Sequence, residues 1–473
     1  MEYPLKQAVV ILHGMGEQIP MQTLNALVSA VWTTDKDLVD PDRPDPNTGH
    51  KRQGNVSWAK PDRRNSSAEL RRITTESDIA GNHTDFYEYY WAHMMQGTTW
   101  EHVTTWIRDL LLRNPRTQVP RRMLHAWVVL WMVALIIIGV LIWGLWPRPV
   151  ETRPWVVVGA AAFGIAVSAL ISNVMLKRLG DVARYVKAWP PNVAKRHLIR
   201  QTGVDLLDRL IQSGKYDRIV VVAHSLGTIV AYDILAMLFA RYNTTLDDGT
   251  PSEMHQPERH RLEDMIREAR ATGTPLDLDA YQDQQALALA EAKGQGAEWN
   301  ISDFVTFGSP LTHAEFLMAE SREDLRTRQS ARLLPTCPPT LEYDSRTELH
   351  HFTYARHPDR VPIDRRVPHH AALFAYTRWT NLYSQEKAFL TGDIVSGPVA
   401  EVFGLSTDEG TVTGIRDVAV LPKLDAKGGV APGHRRCFVS HNNYWKMHKG
   451  TETGPVDVPD HIAELRRALR ILQ

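Results

Sequence analysis

The sequence predicts an α/β protein built on a mostly parallel, doubly wound sheet. Short runs of aliphatic and β-branched residues alternate with longer stretches whose apolar residues recur at helical spacing. The clearest pair is residues 219–222, four consecutive β-branched residues typical of a strand buried on both faces, followed by a predicted helix at 228–238. At 473 residues the chain is long enough for one large domain of this class with insertions.

The composition of the chain limits which partners it can bind and which cellular compartment suits it. Lysine plus arginine equals aspartate plus glutamate at 54 each, so no excess of positive charge points to a nucleic acid. The two cysteines, Cys337 and Cys437, are too few for a disulfide framework and suit a reducing compartment. The first apolar run, residues 8–12, is too short for a signal peptide, so we expect the N-terminal segment to stay in the cytoplasm.

The N-terminal region predicts a strand at residues 8–12 and a helix at 21–32. Between them His-Gly-Met-Gly-Glu-Gln, residues 13–18, forms a glycine-containing loop at the carboxyl end of the strand, where open α/β sheets bind ligands. Residues 35–67 are rich in Asp, Pro, Arg and Asn and predict a surface loop, and another strand is expected at 86–91.

Two long apolar stretches, residues 124–146 and 155–176, contain no Asp, Glu, Lys or Arg. As helices each would extend about 33 Å, enough for a hydrocarbon core of about 30 Å. Arginine and lysine on both outer flanks place those flanks in the cytoplasm by the positive-inside rule. We expect a transmembrane hairpin at 121–178 that divides one cytoplasmic domain into residues 1–120 and 179–473. Two buried helices of a soluble core are the alternative.

Beyond the hairpin, a helix at residues 193–212 leads into the strand at 219–222. Residues 241–298 are charged and helix-prone, and they predict either a cap over the site or a solvated excursion. Further strands are expected at residues 303–307, 378–384 and 436–439.

Ser225 is the candidate nucleophile. It lies in Ala-His-Ser-Leu-Gly, residues 223–227, where small flanking residues would let a strand turn sharply into a helix and present the hydroxyl. An ordinary serine cap of a helix is the alternative. The backbone amides of Met15 and Leu226 are the expected oxyanion-hole donors. The residues expected to support these two loops are His13, Gly14, Gly16 and Gly227.

A serine hydroxyl needs a base, and that base needs a carboxylate to orient it. His441 follows the last predicted strand and is preferred to His434 and His448. His224, next to the serine, is expected to pack beneath the loop, because neighbouring side chains at such a turn diverge. The candidate acids are Asp393, which is favoured, Glu386 and Glu315.

The histidine-rich region at residues 350–370 lacks the H-x-x-x-H spacing that places two ligands on one helical face. Neighbouring histidines on a strand point to opposite faces of the sheet. We therefore expect no metal site, and no motif indicates another cofactor.

Six motifs, HGMGEQ, AHSLG, FGSPL, WTNLY, GDIVSGP and SHNNYW, occur in this order along the chain. Together they resemble the lipase branch of the α/β-hydrolase superfamily, including DDHD-type phospholipases and GPI inositol-deacylase-like lipases. The resemblance implies a serine esterase acting on lipid or another acyl ester, with Ser225, Asp393 and His441 at the triad positions. Ala223 stands where the family more often has glycine.

The sequence therefore predicts a membrane-anchored serine hydrolase that cleaves carboxylic esters, with membrane lipid as its surroundings and its expected substrate. A tethered thioesterase or small-ester hydrolase is one alternative, because an anchor also localises an enzyme whose substrate is soluble. A non-catalytic membrane scaffold or effector that retains the fold is another, because fold does not determine function.

Overall fold

A computed structural model describes most of the chain outside the predicted hairpin. The described residues are 4–14, 19–38, 42–61, 71–95, 108–119, 185–186, 190–243, 256–355, 366–384, 393, 395–407, 410–420, 440–446 and 460–472, with ten positions between 124 and 142. Several residues of interest lie outside this set: Met15, Gly16, Glu386, His434, His448, the predicted strand at 436–439 and the predicted span at 155–176.

The described strands are β1 (Lys6–Leu12), β2 (Ser57–Pro61), β3 (Arg71–Thr75), β4 (His83–Tyr89), β5 (Arg218–His224), β6 (Ile301–Phe307), β7 (Glu342–Asp344), β8 (Leu349–His351), β9 (Thr353–Ala355), β10 (Arg366–Pro368), β11 (Arg378–Tyr383), β12 (Leu405–Thr407), β13 (Gly410–Val412) and β14 (Arg416–Ala419). Eight of them form the central sheet, in the spatial order β2-β3-β4-β1-β5-β6-β11-β14. Neighbours from β4 to β14 are parallel, whereas β2 and β3 join antiparallel at one edge. The predicted α/β class with a mostly parallel sheet is confirmed.

Helices cover both faces of the sheet, as expected for a doubly wound fold. The described helices are α1 (Gln22–Val28, continued by a π-turn at Ser29–Thr33), α2 (Pro190–Gln212), α3 (Leu226–Tyr242), α4 (Pro257–Thr272), α5 (Leu278–Gly294), α6 (Ala314–Leu317), α7 (Arg322–Ser330), α8 (Ala400–Phe403) and α9 (Asp460–Leu469). Short 3-10 turns occur at Ala92–Met95, Pro310–His313, Leu373–Ala375 and Ser440–Asn442.

Strand β1 illustrates why continuous aliphatic runs form the centre of the sheet. Val10 and Leu12 point into a core shared with α2 and α3, whereas Val9 and Ile11 point into a second core shared with α1 and α9. Successive side chains of a strand alternate between faces, so a strand covered on both sides needs apolar residues at every position. This is the pattern read from the sequence at residues 8–12 and 219–222.

The predicted surface loop at residues 35–67 is correct for the described residues before Ser57 but wrong for Ser57–Pro61, which forms β2. This edge strand pairs antiparallel with β3 along its full length. Ser57 and Trp58 are half-buried, whereas Ala59, Lys60 and Pro61 are exposed. An edge strand with so little buried surface lacks the apolar pattern by which the sequence marks a strand.

The insertion at residues 241–298 forms α4 and α5, but the described part does not cap the carboxyl ends of the strands. The Gln285 amide donates to the Phe374 carbonyl at 2.6 Å, and Lys293 Nζ donates to the Asp217 carbonyl at 2.7 Å. Both acceptors precede the first residues of β11 and β5. Helix α5 therefore packs at the amino-terminal end of the sheet, and its Gln284 amide donates to the Glu258 carbonyl of α4 at 2.9 Å. The expected cap is wrong for this part, and so is a solvated excursion, since Leu262 and Tyr281 are fully buried.

The ten described positions between residues 124 and 142 are all helical. Within the part of the chain that the structure describes, no helix combines the length and apolar character needed to cross a membrane.

Candidate active site

Ser225 occupies a sharp turn between β5, which ends at His224, and α3, which begins at Leu226. Its backbone adopts φ 53° and ψ −132°, a strained conformation for a residue with a side chain. The Ser225 N–H donates to the Phe307 carbonyl at 3.2 Å, and the Thr228 N–H donates to the Ser225 carbonyl at 2.9 Å. Bonds to β6 and within α3 thus hold the strained residue in place.

The turn brings the backbone of Gly227 close to the backbone at the end of β1. A Cβ atom there would lie 2.4 Å from the His13 carbonyl oxygen and 2.7 Å from the Leu12 carbonyl oxygen. Gly14, in the loop after β1, is also restricted, because its Cβ would lie 2.9 Å from Ser225 Cβ. The glycine loop and the serine turn therefore touch, as their shared position at the carboxyl end of adjacent parallel strands predicts.

Three side chains distant in sequence meet at this edge. Ser225 Oγ lies 2.9 Å from His441 Nε2, and His441 Nδ1 lies 2.9 and 3.0 Å from the two carboxylate oxygens of Asp393. All three residues are buried. The hydroxyl can donate to Nε2 while the Nδ1 proton is donated to the carboxylate, so the imidazole is oriented to accept a proton from the serine.

Asp393 is held as a carboxylate. Burial alone would raise its pKa, but the charge of His441 and hydrogen bonds from His441 and Tyr444 outweigh burial and lower the pKa to about 2. The Val395 N–H also donates to Asp393 Oδ1 at 2.9 Å. Since the acid remains ionised at neutral pH, it can fix the His441 tautomer and stabilise an imidazolium.

Tyr444 is a positioning residue that the sequence reasoning missed. Its hydroxyl donates to Asp393 Oδ2 at 2.7 Å, accepts from the Ser384 N–H at 3.0 Å and lies 2.9 Å from Ser396 Oγ. It connects the end of β11 to the acid. Its one sequence signal is its place in the SHNNYW motif, three residues after His441, because no periodic pattern marks a single buried tyrosine in a turn.

His224 is packed beneath the turn, as predicted. Its Nε2 lies 2.8 Å from the His441 carbonyl, to which it donates, and its ring lies edge-on to Trp445 at 4.6 Å between centroids. Burial, followed by the proximity of His441, lowers the pKa of His224 to about 3. The neutral ring therefore ties the serine turn to the backbone of the histidine loop.

His13 shapes the loop after β1. Its Nδ1 donates to the Gly14 carbonyl at 2.7 Å, while its Nε2 accepts from the Trp91 N–H at 3.1 Å. The ring stacks on Trp91 with centroids 5.1 Å apart and an interplanar angle of 5°. Burial lowers the pKa of His13 to about 4, so the neutral ring serves as a fixed donor and acceptor.

Of the two expected oxyanion-hole donors, the structure describes Leu226. Leu226 is the first residue of α3, and N–H groups in a first helical turn have no partner within the helix. Its amide follows the serine directly, as an oxyanion donor must. Met15 and Gly16 lie outside the described residues. Of the alternative acids, Glu315 lies in α6 and Glu386 is not described.

The buried histidines predict a steep pH dependence of stability. His13, His224 and His369 all have a pKa lowered chiefly by burial, to about 4, 3 and 4. Each binds a proton below about pH 6.5 in the unfolded chain but only at about pH 4 or lower in the fold. Burial of Glu88 raises its pKa to about 7 and acts in the opposite direction. Among these four groups three act against one, so they should lower the free energy of unfolding by about 3 kcal/mol per pH unit as the pH drops towards 5.

Urea unfolding followed by tryptophan fluorescence at pH 7, 6 and 5 would measure this slope. His369→Gln, remote from the serine, should reduce the slope by about 1 kcal/mol per pH unit, because one proton-binding group is removed from the unfolded chain. His50→Gln, at an exposed position, is the matched control and should leave the slope unchanged. An unaltered slope in the His369 variant would contradict the prediction.

Comparisons of the chain with models of known protein families, with curated proteins and with solved structures find no match.

Proposed function

We propose that the protein is a serine hydrolase of the α/β-hydrolase type that cleaves carboxylic esters. The observation that carries the proposal is the continuous hydrogen-bonded chain from Ser225 through His441 to Asp393 at the carboxyl edge of a parallel sheet. Ser225 follows β5, Asp393 follows β11 and His441 comes after β14, which is the order of nucleophile, acid and base in α/β hydrolases.

In the proposed acylation step, Ser225 Oγ attacks the ester carbonyl carbon as its proton passes to His441 Nε2. The carbonyl oxygen gains negative charge, which the Leu226 N–H and an amide at Met15 are positioned in sequence to stabilise. Collapse of this intermediate breaks the carbon–oxygen ester bond. The leaving alcohol takes the proton from His441, and the acyl group remains on Ser225.

Deacylation repeats the same proton movements with water. Water attacks the acyl carbon and gives a proton to His441, which returns it to Ser225 Oγ as the acyl–serine bond breaks. The products are a carboxylic acid and the free enzyme. Throughout, Asp393 keeps the Nδ1–H tautomer of His441 and offsets the charge of the imidazolium.

The proposal includes a membrane anchor at residues 121–178, with the hydrolase domain on the cytoplasmic side. The support is the uncharged length of the two apolar stretches and the arginine and lysine residues on their outer flanks. A hydrolase held beside lipid meets long-chain acyl esters at high local concentration. Lipid or phospholipid acyl esters are therefore the proposed substrates.

Labelling of the purified full-length protein with a fluorophosphonate probe tests the proposal, because such probes modify serines activated by a neighbouring base. Wild type should be labelled, whereas Ser225→Ala should not. Ser330→Ala, at an exposed serine ending α7, is the matched control and should label like wild type. Absence of wild-type labelling, or equal labelling of Ser225→Ala, would rule the proposal out.

A substrate panel separates the proposal from its enzymatic alternative. Turnover of acyl thioesters or short soluble esters with no turnover of long-chain lipids would favour a tethered thioesterase or small-ester hydrolase. A Ser225→Ala variant with an unchanged cellular phenotype, beside loss of that phenotype on removing residues 124–176, would favour a non-catalytic scaffold.

A further inference from the structure

We infer that the first helix of the predicted hairpin fixes the carboxyl edge of the sheet towards the bilayer, so that Ser225 acts on long-chain acyl lipid drawn from the same membrane that holds the protein. This inference rests on the proposed function and adds an orientation and a source of substrate. It is carried by a continuous set of contacts from the serine turn to the described part of residues 124–142.

The contacts begin beside the nucleophile. Ser225 donates from its backbone to Phe307, the last residue of β6, and Thr228 Oγ1 lies 2.8 Å from Ser309 Oγ. After Ser309 the chain turns through Pro310–His313 into α6. The short helix α6 therefore lies at the same edge of the sheet as the candidate site.

Arg113 connects this edge to the segment that precedes the hairpin. Its guanidinium donates to the Phe316 carbonyl at 2.8 Å and to the Ala319 carbonyl at 3.3 Å. It also lies over the Phe316 ring at 4.5 Å from the centroid. Two hydrogen bonds and a cation–π contact from one planar group fix direction as well as distance.

The same segment holds the inner side of the hairpin helix. Trp127 Nε1 donates to the Leu110 carbonyl at 2.9 Å, and Trp131 Nε1 donates to the Leu111 carbonyl at 3.1 Å. The two indoles are one helical turn apart, with ring centroids separated by 6.1 Å. Arg113 follows Leu111 by two residues, so the helix and the edge of the sheet are attached to one short stretch of chain.

The outer side of this helix is apolar. Six large apolar side chains are between 37% and 57% exposed, at intervals of three or four residues that place them on one helical face. They are Leu124, Val128, Met132, Leu135, Ile138 and Ile142. A helix on the surface of a water-soluble domain presents polar residues outwards, whereas a lipid-facing helix presents apolar ones.

A bilayer is the occupant that fits this face. The stripe extends over about 27 Å at 1.5 Å per residue and belongs to an uncharged stretch of membrane-spanning length. With the face in lipid, the contacts through Arg113 place α6 and the serine turn next to the membrane surface. A lipid ester could then reach Ser225 without transfer of its acyl chain through water.

Reconstituted vesicles test the inference. Full-length protein in phosphatidylcholine vesicles should hydrolyse labelled phosphatidylcholine in its own bilayer at least tenfold faster than the same lipid in added protein-free vesicles. Arg113→Ala should reduce hydrolysis in its own bilayer about tenfold, while turnover of a short soluble ester and fluorophosphonate labelling stay within twofold of wild type. Arg116→Ala, at an exposed arginine three residues away, should match wild type in all three assays.

The possible failures are distinguishable. Absence of fluorophosphonate labelling of the wild type would contradict the proposed function itself. Normal labelling with equal hydrolysis of both vesicle populations, or with no effect of Arg113→Ala, would overturn the orientation alone. Arg113→Lys, which keeps the charge but loses the paired donors, should resemble Arg113→Ala. Protein that stays out of floated vesicles and forms dimers disrupted by Leu135→Lys would show that a second copy covers the apolar face, which would also overturn the inference.

Discussion

Replacing His441 by glutamine should lower kcat/KM for ester hydrolysis by about 10⁶-fold, and replacing Asp393 by asparagine should lower it by about 10⁴-fold. Glutamine supplies no base for the Ser225 proton. Asparagine preserves shape, but its amide donates to His441 Nδ1 and favours the tautomer with a proton on Nε2, which cannot accept from the serine. Initial rates with the best substrate of the panel measure both effects.

Two glutamates serve as matched controls for the acid. Glu315→Gln and Glu386→Gln change a carboxylate to an amide at the positions that the sequence left open, and each should stay within about threefold of wild type. Since His441 Nδ1 already lies within 3.0 Å of both Asp393 oxygens, a second acid has no role. A greater loss for Glu386→Gln than for Asp393→Asn would reassign the acid.

Gly227→Ala should destabilise the protein by about 3 kcal/mol and remove most activity. The new methyl group would meet two backbone carbonyl oxygens, of Leu12 and His13, rather than the mobile end of a side chain. Relief requires α3 to move away from β1, and that displaces Ser225 from His441. Chemical denaturation and fluorophosphonate labelling of the same preparation would report both consequences.

Gly294→Ala is the control for this substitution. Gly294 ends α5, and a Cβ atom there would meet no other atom within 4 Å. Alanine in place of an unrestricted helical glycine should raise the free energy of unfolding by about 0.5 kcal/mol. Equal stability of the two variants would contradict the argument that backbone contact at residue 227 builds the turn.

The sequence predicted the parallel centre of the sheet because burial on both faces leaves a direct mark on composition. Residues 8–12 and 219–222 must be apolar at every position, and the structure has them as β1 and β5. It did not predict β2, whose residues are half-buried or exposed, or the placement of the 241–298 insertion. Helical periodicity indicates that α4 and α5 exist, but not which end of the sheet the glutamines of α5 contact.

The candidate site likewise contains residues that the sequence predicts and one that it does not. Local chemistry identified Ser225, since a tight turn at Gly227 restricts residue type over a few positions. Chain order and motif indicated His441 and Asp393, and the structure brings both side chains to the serine. The role of Tyr444 could not be predicted from the sequence, because it depends on contacts with Ser384, Ser396 and Asp393. Such contacts are properties of the folded arrangement.

The antiparallel edge strand β2 also bears on how the domain behaves at high local concentration. The proposed anchor would confine the protein to a membrane surface, where molecules meet one another often, and an exposed strand edge is a template for sheet-to-sheet aggregation. Strand β2 is short and ends in Lys60 and Pro61, both exposed. Lysine repels a copy of itself, and proline lacks the N–H that a new strand would need. Both residues therefore oppose pairing of β2 with a strand of a second molecule, even where the protein is crowded.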